Sequence, residues 1–168
     1  MPAAGTRAIA ALRLAGVAHQ LHPYETAERH GAHRDDRPAY GLDAASSLGL
    51  TPAQIFKTLV VVADGVFMLA IVPVGRTLDL KRFAAAAGAH RTTMAETRDA
   101  ERVTGYLVGG ISPIGTTRLM RTVLDASATD LERVYVSAGR RGLQVSLLPA
   151  DLVAVTGAAV ATISVEGR

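Results

Sequence analysis

The 168-residue sequence contains no cysteine and no tryptophan. Without thiols it has no disulfide framework, no cysteine nucleophile and no Cys-based zinc site. Aromatic residues make up only 4%, so the core must be packed largely from aliphatic side chains, with Ala and Val abundant. Lysine is almost missing too. Lys57 and Lys81 are the two lysines among eighteen basic residues, and the others are arginines. Where Arg is the default cation, a retained Lys points to a place that needs a compact, flexible point charge in place of a planar fork; survival by chance is the plain alternative. No apolar run approaches the roughly 18 residues of a membrane span. Met1 to Leu14 alternates Ala with Arg at helical spacing, which reads as a domain helix and not as a signal peptide. The expected compartment is the cytosol. Also absent are a Walker A loop, a G-x-G-x-x-G turn, an H-E-x-x-H helix and a G-x-S-x-G elbow.

Apolar residues at 49% and charged residues at 20% are ordinary for a globular chain. The length suits one domain over residues 1–168. A net charge of +3 permits contact with nucleic acid without demonstrating it. Hydrophobic periodicity and breakers predict a helix over Thr6–Leu14, a strand over Ala18–Tyr24 and a long polar loop from Glu25 to Tyr40. A short helix over Asp43–Leu48 follows, with Asp43 as its N-cap, and Thr51-Pro52 opens another. Lys57–Ala63 and Val66–Val72 read as strands joined by the Asp64-Gly65 turn. Helices are expected over Asp79–Ala87 and Met94–Val103, and a Gly-rich loop over Tyr106–Gly115. Thr122–Asp125, Val134–Ser137 and Leu143–Leu148 read as strands, Pro149–Val155 as a helix and Ala159–Val165 as a last strand. One mixed α+β domain is the economical reading.

Four stretches carry candidate chemistry, each beside a plainer structural account. Tyr24-Glu25 closes the first strand; a core ring with a wet hydroxyl explains it equally well. Lys57 stands at the mouth of an apolar strand, where it is also simply a polar strand start. Thr104 to Gly115 holds four glycines and a proline in twelve residues, which lets a ligand approach backbone N–H groups or makes a rigid turn. Tyr135 to Leu143, with Arg140 and Arg141 at its turn, is a basic hairpin tip that contacts phosphates or merely faces water. His19 and His22, three apart on a strand, face opposite sides and make a poor metal pair. His30 and His33 read as surface histidines. No metal or cofactor is indicated.

Together and in order, these stretches resemble the YbaK/EbsC family, free-standing relatives of the editing domain inserted in bacterial prolyl-tRNA synthetases. The resemblance runs from about Thr6 to Ile163. It rests on Phe56-Lys57-Thr58-Leu59, Leu78-Asp79-Leu80-Lys81, Thr104 to Pro113 and Val136 to Leu143. It implies an α+β fold with a mixed, barrel-like sheet flanked by helices. It also implies trans-editing hydrolysis of mischarged Cys-tRNA(Pro), with tRNA(Pro) and prolyl-tRNA synthetase as partners and no cofactor. The neighbouring readings are removal of another small amino acid, such as Ala, and a non-catalytic tRNA- or synthetase-binding module. By resemblance, Lys57 and Gly109 are the catalytic positions, Gly109 opening a G-x-x-x-P loop that ends at Pro113. Tyr24, Thr58, Gly110, Ile111, Ser112, Pro113, Ser137 and Arg140 are expected on the substrate. N–H groups of the Gly109-Gly110 turn would hold the developing oxyanion, and in the cysteine-specific branch the substrate's own thiol attacks its ester. A methyl group on Gly109 is expected to crowd the pocket. Two departures stand out. The family often has an acidic residue where this chain has Gln144. The Glu25–Tyr40 loop is longer and more basic, with Tyr40-Gly41 at the place of a family aromatic-glycine pair.

Overall fold

A computed structural model describes residues 5–26 and 39–167; most of the Glu25–Tyr40 loop, with His30 and His33, lies outside the described residues. The first helix, α1 (Arg7–Leu14), starts at Thr6, whose Oγ1 accepts from the Ile9 N–H and donates to the Ala138 carbonyl at 2.6 Å. One threonine thus caps the helix and ties it to a distant strand. A short strand, β1 (Gln20–Pro23), follows, with Pro23 at its end. Helix α2 (Ala39–Leu48) begins earlier than the sequence pattern predicts. Asp43 is therefore inside the helix and is not its cap. Thr51-Pro52 opens a turn and no helix, because the Gln54 side chain accepts from Thr51 N–H and Oγ1 and the chain then turns directly into a strand.

That strand, β2 (Phe56–Ala63), forms a hairpin with β3 (Val66–Pro73) in full register. Asp64 and Gly65 both take positive φ, 49° and 81°, as a type I′ turn demands. The Asp64 carboxylate offsets the strain by accepting from the N–H groups of His90 and Arg91. Next come β4 (Arg76–Leu78) and α3 (Leu80–Ala87), the helix capped by Asp79 and closed by left-handed Gly88. The single helix expected over Met94–Val103 is two elements, β5 (Thr92–Met94) and α4 (Thr97–Thr104). Thr92 and Thr93 are β-branched and complete the edge of β2, so extended backbone wins there. After β6 (Thr122–Asp125) and a 3-10 turn over Ala126–Asp130 come β7 (Val134–Arg140), β8 (Leu143–Leu147) and α5 (Pro149–Thr156). The expected last strand is two: β9 (Ala159–Ala161) and β10 (Ser164–Glu166). The break has a cause. The N–H groups of Ile163 and Ser164 both turn to the buried Asp125 carboxylate, at 3.0 Å each.

The strands form a five-stranded mixed sheet ordered β5-β2-β3-β6-β9, a three-stranded sheet β1-β8-β7 and a pair β10-β4. The α+β class holds. Among the described residues the sheets are not closed into one barrel; they touch where Ile55 bridges Tyr135 of β7. In the three-stranded sheet, period-two alternation buries Val134, Val136, Ala138, Leu143, Val145 and Leu147 against Ala8, Ile9 and Leu12 of α1 and Leu152 of α5. Tyr135, Ser137, Gln144 and Ser146 therefore share the opposite face, which looks toward the start of β2.

Candidate functional site

β2 has an interrupted edge. One side pairs with β3 over its whole length. On the other side Tyr135 N–H donates to the Gln54 carbonyl at 3.0 Å just before the strand, and β5 takes over only from Val61, with Ala95 N–H on the Val60 carbonyl at 3.0 Å. Between these contacts the edge around Lys57, Thr58 and Leu59 lacks a strand partner among the described residues. A cavity of about 280 Å³ opens there. Its apolar wall comes from Leu59, Val60, Met94, Ala100, Val108 and Ile111, and its polar wall from Lys57, Thr58, Ser137, Gln144 and Tyr24. Gly109 lines the same space.

Lys57 is the one charged side chain among the described residues that line the cavity. It is half-buried, and burial lowers its pKa below the usual lysine value, because desolvation penalises the ammonium form. Next to it, Thr58 is 9% exposed and Gln144 5%. The Thr58 Oγ1 and Gln144 Oε1 atoms are buried and have no hydrogen-bond partner among the described residues. Buried polar atoms are normally satisfied, and two orphans in the wall of one cavity mark it as a place for a polar ligand. Ser137 Oγ already accepts from the Gly139 N–H at 3.2 Å.

The Gly-rich loop is pinned from below. Tyr106 is buried and its hydroxyl donates to the Ile114 carbonyl at 2.6 Å, stapling the two ends of the loop. Burial pushes the Tyr106 pKa up to about 12, so the phenol stays a donor. Gly109 has φ +93°, and a Cβ on it would lie 2.6 Å from Arg141 Nε. A methyl group there would first meet the Arg141 side chain. The Gly110 N–H donates to the Leu107 carbonyl at 2.9 Å. It is therefore committed to the turn, which leaves the Gly109 N–H as the unengaged donor of that pair among the described residues.

The structure brings Lys57, Gly109, Tyr24, Thr58, Ile111 and Ser137 to one cavity. It places the other predicted contacts elsewhere. Gly110 is packed on hairpin backbone, where a Cβ would lie 2.7 Å from the Arg140 Cα. Ser112 and Pro113 are buried in the loop's support, with Ser112 Oγ accepting from the Ile114 N–H. Arg140 is exposed and lies outside the cavity wall. Gly41, in α2, reaches the wall; the Tyr40 side chain is outside the described residues. His19 and His22 do not converge: His19 Nδ1 meets the Val17 carbonyl and His22 Nε2 the Ser146 hydroxyl. No group of three or more His, Asp or Glu side chains among the described residues is arranged to hold a metal.

Sequence reasoning missed Met94, Ala95, Thr97 and Ala100, because reading one helix across them hid the turn that faces β2. Gln144 was visible only as a departure from an acidic position; its register opposite Ser137 on β7 puts it in the wall.

Residues 38–155 match the aminoacyl-tRNA editing domain family. A protein of Enterococcus faecalis with the provisional name Cys-tRNA(Pro)/Cys-tRNA(Cys) deacylase EbsC is 38% identical over 123 residues, spanning 73% of this chain and 75% of that protein. Among solved structures, a provisionally assigned trans-editing enzyme for prolyl-tRNA synthetase superposes with a TM-score of 0.80 at 25% identity, covering 96% of each chain. The crystal structure of a hypothetical protein superposes with a TM-score of 0.81, also at 25% identity, covering 95% of this chain and 99% of that one.

Proposed function

Because the chain belongs to the aminoacyl-tRNA editing domain family and is on that ground an aminoacyl-tRNA deacylase, we propose that it clears cysteine from mischarged tRNA(Pro) in the cytosol, beside prolyl-tRNA synthetase. The observation that carries this reading is the joint placement of Lys57, Gly109 and the orphaned Thr58 and Gln144 atoms around one small cavity.

The chemistry follows from what each group can do. Lys57 is a cation with a partly desolvated ammonium and, among the described residues, no carboxylate beside it in the wall. It holds a phosphate or ribose oxygen of the tRNA 3′ end and sets the ester over the loop. The Gly109 N–H donates to the carbonyl oxygen as negative charge builds on it. The chain itself has no thiol, and the resemblance to the cysteine-specific branch implies that the nucleophile is the substrate's own thiol. The cysteine sulfur bonds to the ester carbon, the bond from that carbon to the ribose oxygen breaks, and the ribose oxygen leaves with the thiol proton. Water then opens the thioester. The apolar wall of Leu59, Met94 and Ala100 accepts a small side chain, and proximity at its best is worth on the order of 7 kcal/mol or more in such a step.

The test is a panel of Cys-, Ala- and Ser-charged tRNA(Pro) offered to wild-type and Lys57→Ala protein. The expected result is fastest deacylation of the cysteinyl ester and a loss of at least about a hundredfold in the variant, with the fold intact. Preference for Ala-tRNA(Pro) would reassign the substrate. tRNA binding without turnover would make the chain a binding module, and full activity of Lys57→Ala would remove the lysine from the site.

A further inference from the structure

Val108 is gripped at both ends of its main chain. Its N–H donates to Glu101 Oε2 of α4 at 2.9 Å. Its carbonyl accepts from Arg141 Nε, at the tip of the β7–β8 hairpin, at 2.9 Å. Neither Glu101 nor Arg141 lines the cavity. We propose that Glu101 and Arg141 are positioning residues that grip Val108 from both sides, Glu101 through the Leu107–Val108 peptide and Arg141 through the Val108–Gly109 peptide, and so aim the Gly109 N–H at the substrate.

The geometry of one peptide unit links the clamp to the site. The Val108 carbonyl and the Gly109 N–H belong to the same peptide plane, and no peptide bond described here is cis. In a trans peptide the two groups point in opposite directions. Holding the carbonyl on Arg141 therefore turns the Gly109 N–H away from Arg141, and Gly109 itself borders the cavity. The neighbouring donor, on Gly110, is already spent on the Leu107 carbonyl, so this peptide alone decides where the turn's free donor faces. A cation on the carbonyl also polarises the amide and strengthens its N–H as a donor.

The glycines fit the same device. Arg141 lies across the face of Gly109 where a side chain would start, its Nε 2.6 Å from the position of a Cβ. The positive φ of Gly109 costs glycine little. Gly110 lets the loop settle on the hairpin backbone, where a Cβ would meet Arg140 C at 2.8 Å and Arg141 N at 2.9 Å. The hairpin tip thereby acts as a strut for the loop, a different job from the phosphate contact its charge suggests.

What the aimed N–H does rests on the deacylase reading; the clamp itself does not. Two readouts keep them apart. The first is the Gly109 amide signal in ¹⁵N-labelled protein, which needs no substrate. The second is steady-state deacylation of Cys-tRNA(Pro) with kcat and KM resolved. Arg141→Ala is expected to move the Gly109 amide signal and to lower kcat about ten- to hundredfold with little change in KM. Arg141→Lys, which retains a donor, recovers part of both. Glu101→Leu behaves like Arg141→Ala, and Glu101→Gln, which retains an acceptor, loses less than Glu101→Leu. An unmoved Gly109 signal in Arg141→Ala overturns the clamp. So does a rise in KM with kcat unchanged and a flatter salt dependence, which would make Arg141 a phosphate contact. If Arg141→Ala fails to fold, the Glu101 pair carries the same comparison. A wild-type protein inactive on every charged tRNA would defeat the deacylase reading while the amide signal still judged the clamp.

Discussion

The two lysines stand in different surroundings. Lys81 is exposed in the first turn of α3, while Lys57 is half-buried in the cavity wall. Burial lowers the Lys57 pKa because the fold penalises its charged form. The stability cost of that charge is present below the lowered folded pKa, and it fades as pH rises through that value toward the unfolded one. Activity that needs the ammonium falls over the same alkaline interval. The pH–rate profile should therefore decline at a lower pH than an ordinary lysine would dictate. Lys57→Met, which keeps the aliphatic stem, is expected to match or exceed the wild-type Tm at neutral pH while losing deacylation. A Lys57→Met protein that melts well below wild type would show that the ammonium stabilises the fold, against this account.

At the scale of elements, the Gly-rich loop is a strap with fixed ends. Left-handed Gly105 ends α4, the Tyr106 hydroxyl reaches the Ile114 carbonyl, and Gly115 crosses α1 so closely that a Cβ would meet the Arg7 carbonyl at 2.6 Å. Tyr106→Phe leaves the buried Ile114 carbonyl without its donor. The expected cost is about 1–3 kcal/mol, read as a lower Tm, together with slower deacylation because the loop that carries Gly109 loses its staple. Equal stability of Tyr106→Phe and wild type in denaturant would mean that the staple is replaced by other contacts. The same scale explains the errors of reading along the chain. Asp43 has the chemistry of a cap but lies inside α2, and the stretch from Thr92 to Thr104 divides because β2 offers β5 an edge to complete.

Across the whole molecule, Asp125 joins the sheets. Its Oδ1 accepts from the N–H groups of Ile163 and Ser164, and its Oδ2 from the Ser127 hydroxyl at 2.7 Å. This fixes the crossing from β9 in the five-stranded sheet to β10 in the small one. Burial by itself would raise the Asp125 pKa, but hydrogen bonds from Ser127, Ile163 and Ser164 outweigh it and the pKa is lowered. A carboxyl with a depressed folded pKa contributes stability above its unfolded value and loses it as pH falls through the folded one. Acid titration followed by circular dichroism should show this loss. Asp125→Ala, which strands the donors, is expected to cost about 3 kcal/mol at neutral pH and to flatten the acid limb; an unchanged limb would assign acid sensitivity to other carboxylates.

The sequence by itself determined the features that local chemistry controls. The β2–β3 hairpin follows from two apolar runs around Asp64-Gly65, α3 from Asp79 and Gly88, and the irregular loop from its glycines and Pro113. Lys57 could be singled out because a lysine is rare in this chain. Only the tertiary structure decided what stands next to what. Gln144 reaches the cavity through strand register, Met94 and Ala100 through a turn that β5 forces, and Glu101 and Arg141 meet at Val108 although they are distant in the chain. Backbone preferences act over a few residues and leave a signature in sequence. A cavity wall, a residue gripped from two sides and an open strand edge arise from which surfaces pack together, and no short stretch of the chain encodes that alone.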